Sequence, residues 1–145
     1  MMATYCSSVK EAYDLSNAHQ LAPKLWQLEH DNNQIDTKNA EYRSWENSLP
    51  LLLQDIMNAG LGELTIIFEY ETPMSDRIDA ILVGYDQNGK NQILIIENKQ
   101  WNHILADDSP ETVLISRNDE SRHHPCAQLV TYIKDLQYII PQLVN

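Results

Sequence analysis

The spacing of apolar positions changes character twice along the chain. Near the start it is helical. Ser8-Val9-Lys10-Glu11 has the form of a capping box. Leu21, Leu25 and Leu28, with Trp26 beside them, keep a helical period from Asn17 to about His30 despite Pro23, until Asn32-Asn33 breaks it. A longer helix is predicted from about Thr37 to Asn58, with Glu41, Trp45, Ser48 and Leu52 on one face. Pro50 should kink or divide it, with Ser48 as a cap for the second part, and Gly60 and Gly62 end it. The pattern then becomes that of strands. Leu64 to Tyr70 is β-branched and aromatic, Ile78 to Tyr85 is a second strand and Gln92 to Lys99 a third. Asp86-Gln87-Asn88-Gly89-Lys90 joins the last two as a hairpin. Ile93 to Ile96 is apolar on both faces, which places that strand centrally, with helices over both sides of the sheet. Residues 102 to 122 are polar and irregular apart from a short strand at Thr112 to Ile115, and Pro125 opens a last helix that runs to about Ile139. The pattern describes one α/β domain, residues 1–145, in which 1–36 form a helical N-terminal extension and 37–145 the core.

Length and composition agree. At 145 residues and 43% hydrophobic content the chain can bury a core without disulfide or metal staples. No apolar run approaches the ~18 residues of a membrane span, and the opening residues lack the order of a signal peptide, so a cytoplasmic location is expected and no membrane partner. Cys6 and Cys126 make no disulfide framework, which fits a reducing compartment. The net charge of −11 argues against nucleic acid as a partner, because phosphate contacts dominate that affinity. The charge is uneven, however: residues 1–72 carry −7 and residues 73–145 carry −4.

The second half also holds the candidate chemistry. Glu97 and Lys99 lie two apart on one strand and so share a face, while Asp79 interrupts Ile78, Ala80 and Ile81 on its neighbour. A turn centred near Asn88 pairs positions whose numbers sum to about 176, which sets Asp79 against Glu97. Carboxylates facing each other across strands repel, and a hard divalent cation with oxygen ligands offsets that best. Lys99 is then placed to orient a water or help deprotonate it. Each charge alone reads as a solvated strand end or a salt bridge. Charge breaking two apolar strands at the same end of a sheet is what a core avoids, and it favours a site. Other residues favour structure: Trp45 reads as core, Trp101 as packing before stacking, and Arg77 as a partner of Glu69, Glu71 or Asp76 as readily as of phosphate. His123, His124 and Cys126 lack a second ligand pair for zinc. Glu46 rivals Glu41 but lies on another helical face.

Asp79 on a hairpin strand, then Glu97-Asn98-Lys99, then Gln128-Leu129-Val130-Thr131-Tyr132 on a later helix, resembles the PD-(D/E)xK nuclease superfamily in its RecB-like form with a Gln-x-x-x-Tyr element. Glu41-Tyr42-Arg43-Ser44-Trp45, Glu69-Tyr70 with Arg77-Ile78-Asp79, Glu97-Asn98-Lys99-Gln100-Trp101, and His124-Pro125 before Gln128 are similar to the N-terminal nuclease-like region of bacterial Schlafen group 3-like DNA/RNA helicase proteins. Ile78 stands where the superfamily often has proline. The resemblance implies a restriction-endonuclease-like three-layer core with a mixed central sheet flanked by helices. It also implies a magnesium-dependent nuclease, with manganese as substitute, cutting DNA in preference to RNA, with a helicase following in the same protein. Asp79, Glu97 and the Asn98 carbonyl would hold the metal, with Glu41 completing the acidic cluster. Lys99 would activate water or face phosphate, and Gln128 and Tyr132 would contact the substrate backbone or brace the metal ligands; apart from the resemblance, Trp101 beside the site is a candidate to stack on a substrate base. In that superfamily a final strand follows the last helix. Its lack of room here implies a fragment with an exposed sheet edge; the rival is a short variant in which Thr112 to Ile115 supplies extra sheet.

Overall fold

The computed structural model describes residues 4–30, 34–115 and 120–140. Its order is β1 (Tyr5–Ser8), α1 (Val9–Asn17), α2 (Leu21–Glu29), α3 (Ala40–Asn58), β2 (Thr65–Glu71), β3 (Arg77–Tyr85), β4 (Asn91–Ile96), β5 (Leu105–Ala106), β6 (Thr112–Leu114), β7 (Ser121–His123) and α4 (Pro125–Ile139). Strands β1 to β4 form one sheet in that order and β5 to β7 a second, small one. Every pairing is antiparallel, so the expected mixed sheet is corrected: adjacent strands are joined by hairpins and short connections, and none of the described pairs is parallel.

Helix limits follow from local chemistry. The Ser8 hydroxyl accepts the Glu11 amide at 3.1 Å, and Asn39 caps α3 by accepting from Glu41 and Tyr42. Gly60, at φ +77°, closes α3: its amide bonds the Met57 carbonyl and the Leu61 amide bonds that of Ile56. His124 caps α4, its ring nitrogen accepting the Cys126 amide at 3.1 Å, which gives that histidine a structural task. The N-terminal segment is not purely helical, because Tyr5–Ser8 pairs with β2 as an outer strand of the main sheet. The helix through Pro50 is also undivided, and Ser48, instead of capping, donates to the Ser44 carbonyl at 2.7 Å. Leu49, Leu53 and Ile56 anchor α3 in the core on either side of the proline, and this tertiary packing offsets the missing hydrogen bond to Glu46.

Two apolar layers sandwich the sheet. On one face α1, α2 and α3 pack Val9, Leu21, Trp26, Trp45 and Leu53 against Ile66, Phe68, Ala80 and Leu82. On the other, Tyr132 and Leu136 of α4 pack on Ile78 and Ile81, with Ile67, Val83, Ile93 and Ile95 around them. Strand β4 is not central. It pairs only with β3 among the described residues, and Leu94 is 57% exposed. An apolar run says nothing of a strand's lateral neighbours, and here it does not mark full burial either, since Ile93, Ile95 and Ile96 are half-buried and Leu94 is exposed at the edge. The short strand expected at Thr112 to Ile115 is β6, which lies in the small sheet and does not extend the main one.

The alternation of faces slips once. Ile78 joins the α4 layer and Ala80 the α3 layer although they lie two apart, and opposite this step Glu69 has φ +55°. A left-handed non-glycine residue inside a strand is uncommon and sets Glu69 apart from the regular pleat. The burial pattern predicts that Phe68→Ala lowers the unfolding free energy by about 3–5 kcal/mol, whereas Leu94→Ala, at the open edge, changes it by about 0.5 kcal/mol or less. Urea titrations of the two variants would check this, and equal losses would place β4 inside the sheet.

Candidate functional site

The hairpin turn sets the site. Asp86 accepts the Asn88 and Lys90 amides with its side chain, Gly89 takes φ +75°, and the register then runs from Tyr85 opposite Asn91 to Ala80 opposite Ile96. These pairs all sum to the value expected, and the next position in phase is Asp79 against Glu97. There the ladder gives way to a side-chain contact, in which the Asn98 amide donates to Asp79 Oδ2 at 2.8 Å. Lys99 Nζ lies 2.5 Å from Glu97 Oε1. The Glu97 side chain is only 3% exposed; its Oε2 is buried, and the Tyr132 hydroxyl is a hydrogen-bonding neighbour of the carboxylate. Burial pushes both carboxyls above their usual range. The Asn98 hydrogen bond and Lys99 partly offset this for Asp79; for Glu97, Lys99 opposes it while the Asp79 charge adds to it.

A third strand contributes an acid that the sequence reading left outside the metal cluster. Glu69 lies in register opposite Asp79, since Phe68 faces Ala80 and Tyr70 faces Ile78. The Trp45 indole donates to its Oε1 at 2.7 Å and Arg77 Nε lies 2.8 Å from its Oε2. Burial raises the Glu69 carboxyl to about 7; the Trp45 hydrogen bond lowers it, and the charges of Asp79, Glu29 and Glu97 raise it further. The signal for Glu69 was of the same kind as for Asp79, a carboxylate breaking the apolar run Ile66-Ile67-Phe68.

Glu41 sits one step away from Asp79 and Glu97. From the first turn of α3 it pairs with Arg77, which also holds Glu29 of α2 at 2.9 Å. Oxygens of Glu29, Glu41 and Glu69 lie within 4.8 Å of one another, and Glu69 links this group to the Asp79–Glu97 pair. The expected pairing of Arg77 with Glu69 is present and extends to two further carboxylates. Glu29, Glu41, Glu69, Asp79 and Glu97 thus stand against Arg77 and Lys99, five anions to two cations, an excess of three negative charges when all are ionised. Buried like charge of this kind is met by protons or by a bound cation.

Helix α4 closes the other side. Tyr132 is buried beside Glu97, and desolvation followed by the Glu97, Asp79 and Asp76 charges raises its hydroxyl to about 12. Gln128, one turn earlier, joins Tyr132 in lining a cleft of about 560 Å³ with Asp76, His123 and Lys134. The ring of Trp101 carries Lys99 Nζ at 5.5 Å from its centroid.

The Glu69 shift has a consequence for stability. A folded-state carboxyl held at about 7, against 4.5 for the free side chain, binds its proton more tightly in the folded chain. Its stabilising contribution is therefore complete below about pH 4.5 and is lost as pH rises through 7. Glu69→Gln should remove that slope and be more stable than the parent at pH 8, by about 1–3 kcal/mol. Denaturant titrations of both proteins from pH 4 to 8 measure this, and a less stable variant at pH 8 would show that the Arg77 ion pair outweighs the cost of burial. Comparison with known protein families, with curated proteins and with solved structures finds no match in any of the three, so the function of the site rests on its own geometry.

Proposed function

We propose that this protein is a metal-dependent phosphodiesterase that hydrolyses nucleic acid, DNA in preference to RNA, on a restriction-endonuclease-like core, and that it serves as the N-terminal module of a longer helicase-containing protein of the bacterial cytoplasm. The observation that carries the reading is the burial of the Glu97 carboxylate beside Asp79, next to a lysine on the same short segment. Two carboxylates drawn together away from solvent repel and are costly to ionise, and a bound cation would offset both effects. The donor set is all oxygen, which suits Mg²⁺ or Mn²⁺ over softer metals. Asp79, Glu97 and the Asn98 carbonyl would hold the ion, with Glu69 and Glu41 behind them. When bound, it would supply Lewis-acid polarisation of a phosphoryl oxygen and a more acidic water.

The remaining chemistry falls to the chain's own side chains. Lys99, 28% exposed, keeps its ammonium at the mouth of the site, where it can face a phosphate oxygen and orient the attacking water. Asn98 fixes the Asp79 carboxylate through its amide, so that Asp79 needs no reorientation to bind a ligand. Tyr132, held neutral by its raised pKa, stands as a fixed dipole beside Glu97. Trp45 and Arg77 hold Glu69 in its left-handed backbone conformation, so the acid on the third strand keeps one orientation.

With Mg²⁺ or Mn²⁺, cleavage of an oligonucleotide should fall by roughly 10²–10⁴-fold in Lys99→Ala and in Asp79→Asn. Asp79→Asn should at the same time keep or raise the melting temperature, because it removes one of three uncompensated charges. A cleavage assay paired with thermal unfolding separates this from a purely structural ion network, in which both variants would melt earlier and no parent activity would exist to lose.

A further inference from the structure

A second cleft, of about 500 Å³, opens on the other side of Lys99 from α4 and has a different chemistry. One wall is α3, with Asn47, Leu51 and Asp55; the other is the segment after β4, with Asn98, Trp101 and Asn102. Gln100 ties the two walls together, its amide donating to the Ser44 carbonyl at 3.2 Å. Leu51 is 70% exposed, an aliphatic side chain left at the cleft although α3 has a core on its opposite face. Trp101 is half-buried, has no aromatic partner among the described residues, and carries the Lys99 ammonium on its ring.

This lining does not suit a phosphate backbone. Lys99 and Asp55 are the charged side chains of the cleft, and they cancel, whereas a groove that tracks phosphates is rich in Lys and Arg. An aromatic face, an aliphatic side chain and three asparagine amides instead match a flat heterocycle with donors and acceptors on its rim. The volume lies within the ~300–1,000 Å³ range of small-ligand sites, which admits a base or a nucleotide but no duplex. Asp55 on the α3 wall would repel a phosphate, which leaves Lys99, paired with Glu97, as the cationic side chain of the lining.

We infer that the cleft between α3 and residues 98–102 takes one unpaired nucleobase, stacked on Trp101, so that the strand presented to Lys99 is single-stranded. The inference rests on the proposed nucleic-acid chemistry of the neighbouring site and names its substrate class. The other two tryptophans, Trp26 and Trp45, are 5% and 4% exposed, so quenching of intrinsic fluorescence by an added oligonucleotide reports on Trp101.

The test uses the Asp79→Asn chain at low salt with a mixed-sequence single-stranded DNA 12-mer and with the same sequence as a duplex. The single strand should quench saturably and the duplex should not. Trp101→Ala should weaken single-strand binding, followed by anisotropy of a labelled 12-mer, by roughly five- to hundredfold, the value of one base stack. Leu51→Asp, at an exposed position that folding does not need, should weaken it similarly. Equal binding of duplex and single strand, or unchanged affinity in both variants, overturns the inference. The outcome also separates the two proposals. With Asp79 intact and Mg²⁺ present, cleavage of both substrates that ignores Trp101→Ala leaves a nuclease without a base cleft, and saturable quenching with no cleavage leaves a base cleft without a nuclease.

Discussion

An excess of buried negative charge at one end of the sheet is the constraint around which this molecule is organised. Five carboxylates from α2, α3, β2, β3 and the end of β4 converge on two cations. Arg77 is spread over three of them, and a planar guanidinium suits that task because it offers several donors in fixed directions. Burial, together with the repulsion the cations leave uncovered, raises the Glu69, Asp79 and Glu97 carboxyls. Under the proposed function, a bound cation would offset this charge.

The backbone pays for this arrangement in one place. At Glu69 and Asp79 the strict alternation of the two central strands breaks, so that Ile78 serves the α4 layer and Ala80 the α3 layer. Regular strands could not do both, since a pleat sends residues two apart to the same face. The irregularity coincides with the acids, and the Trp45 indole and the Arg77 guanidinium stabilise the less favourable conformation of Glu69 from the α3 side. The tryptophan is therefore core and site support together.

Two clefts flank the acidic cluster and differ in kind. The one under α4 carries Gln128, His123 and Lys134 with two acids, and the one beside α3 carries amides and a tryptophan. Lys99, at the margin of the second, has its ammonium bonded to Glu97 and lying over the Trp101 ring. The net charge of −11 argues against a nucleic-acid substrate, yet part of it is this cluster, whose field a divalent ion, if bound as proposed, would largely offset locally.

The sequence by itself determined what is local. The Asn-Gly turn and the apolar alternation around it set the hairpin register, and with it the meeting of Asp79 and Glu97, because pairing across a tight turn is counted from the turn outward. Pro125 at the start of α4, Trp45 in the core and Gly60 at the end of α3 were legible for the same reason, each resting on a few neighbouring residues. Tertiary structure decided the rest. Arg77 reaches Glu29 across 48 residues and Trp45 reaches Glu69 across 24, separations over which periodicity carries no information. The position of β4 at the edge and the passage of α3 through Pro50 were likewise settled by what packs beside them. Whether Glu41 joins Asp79 directly or stands behind Arg77 depends on where α3 lies over the sheet, and that is fixed by the fit of Leu49, Leu53 and Phe68 in the layer between them.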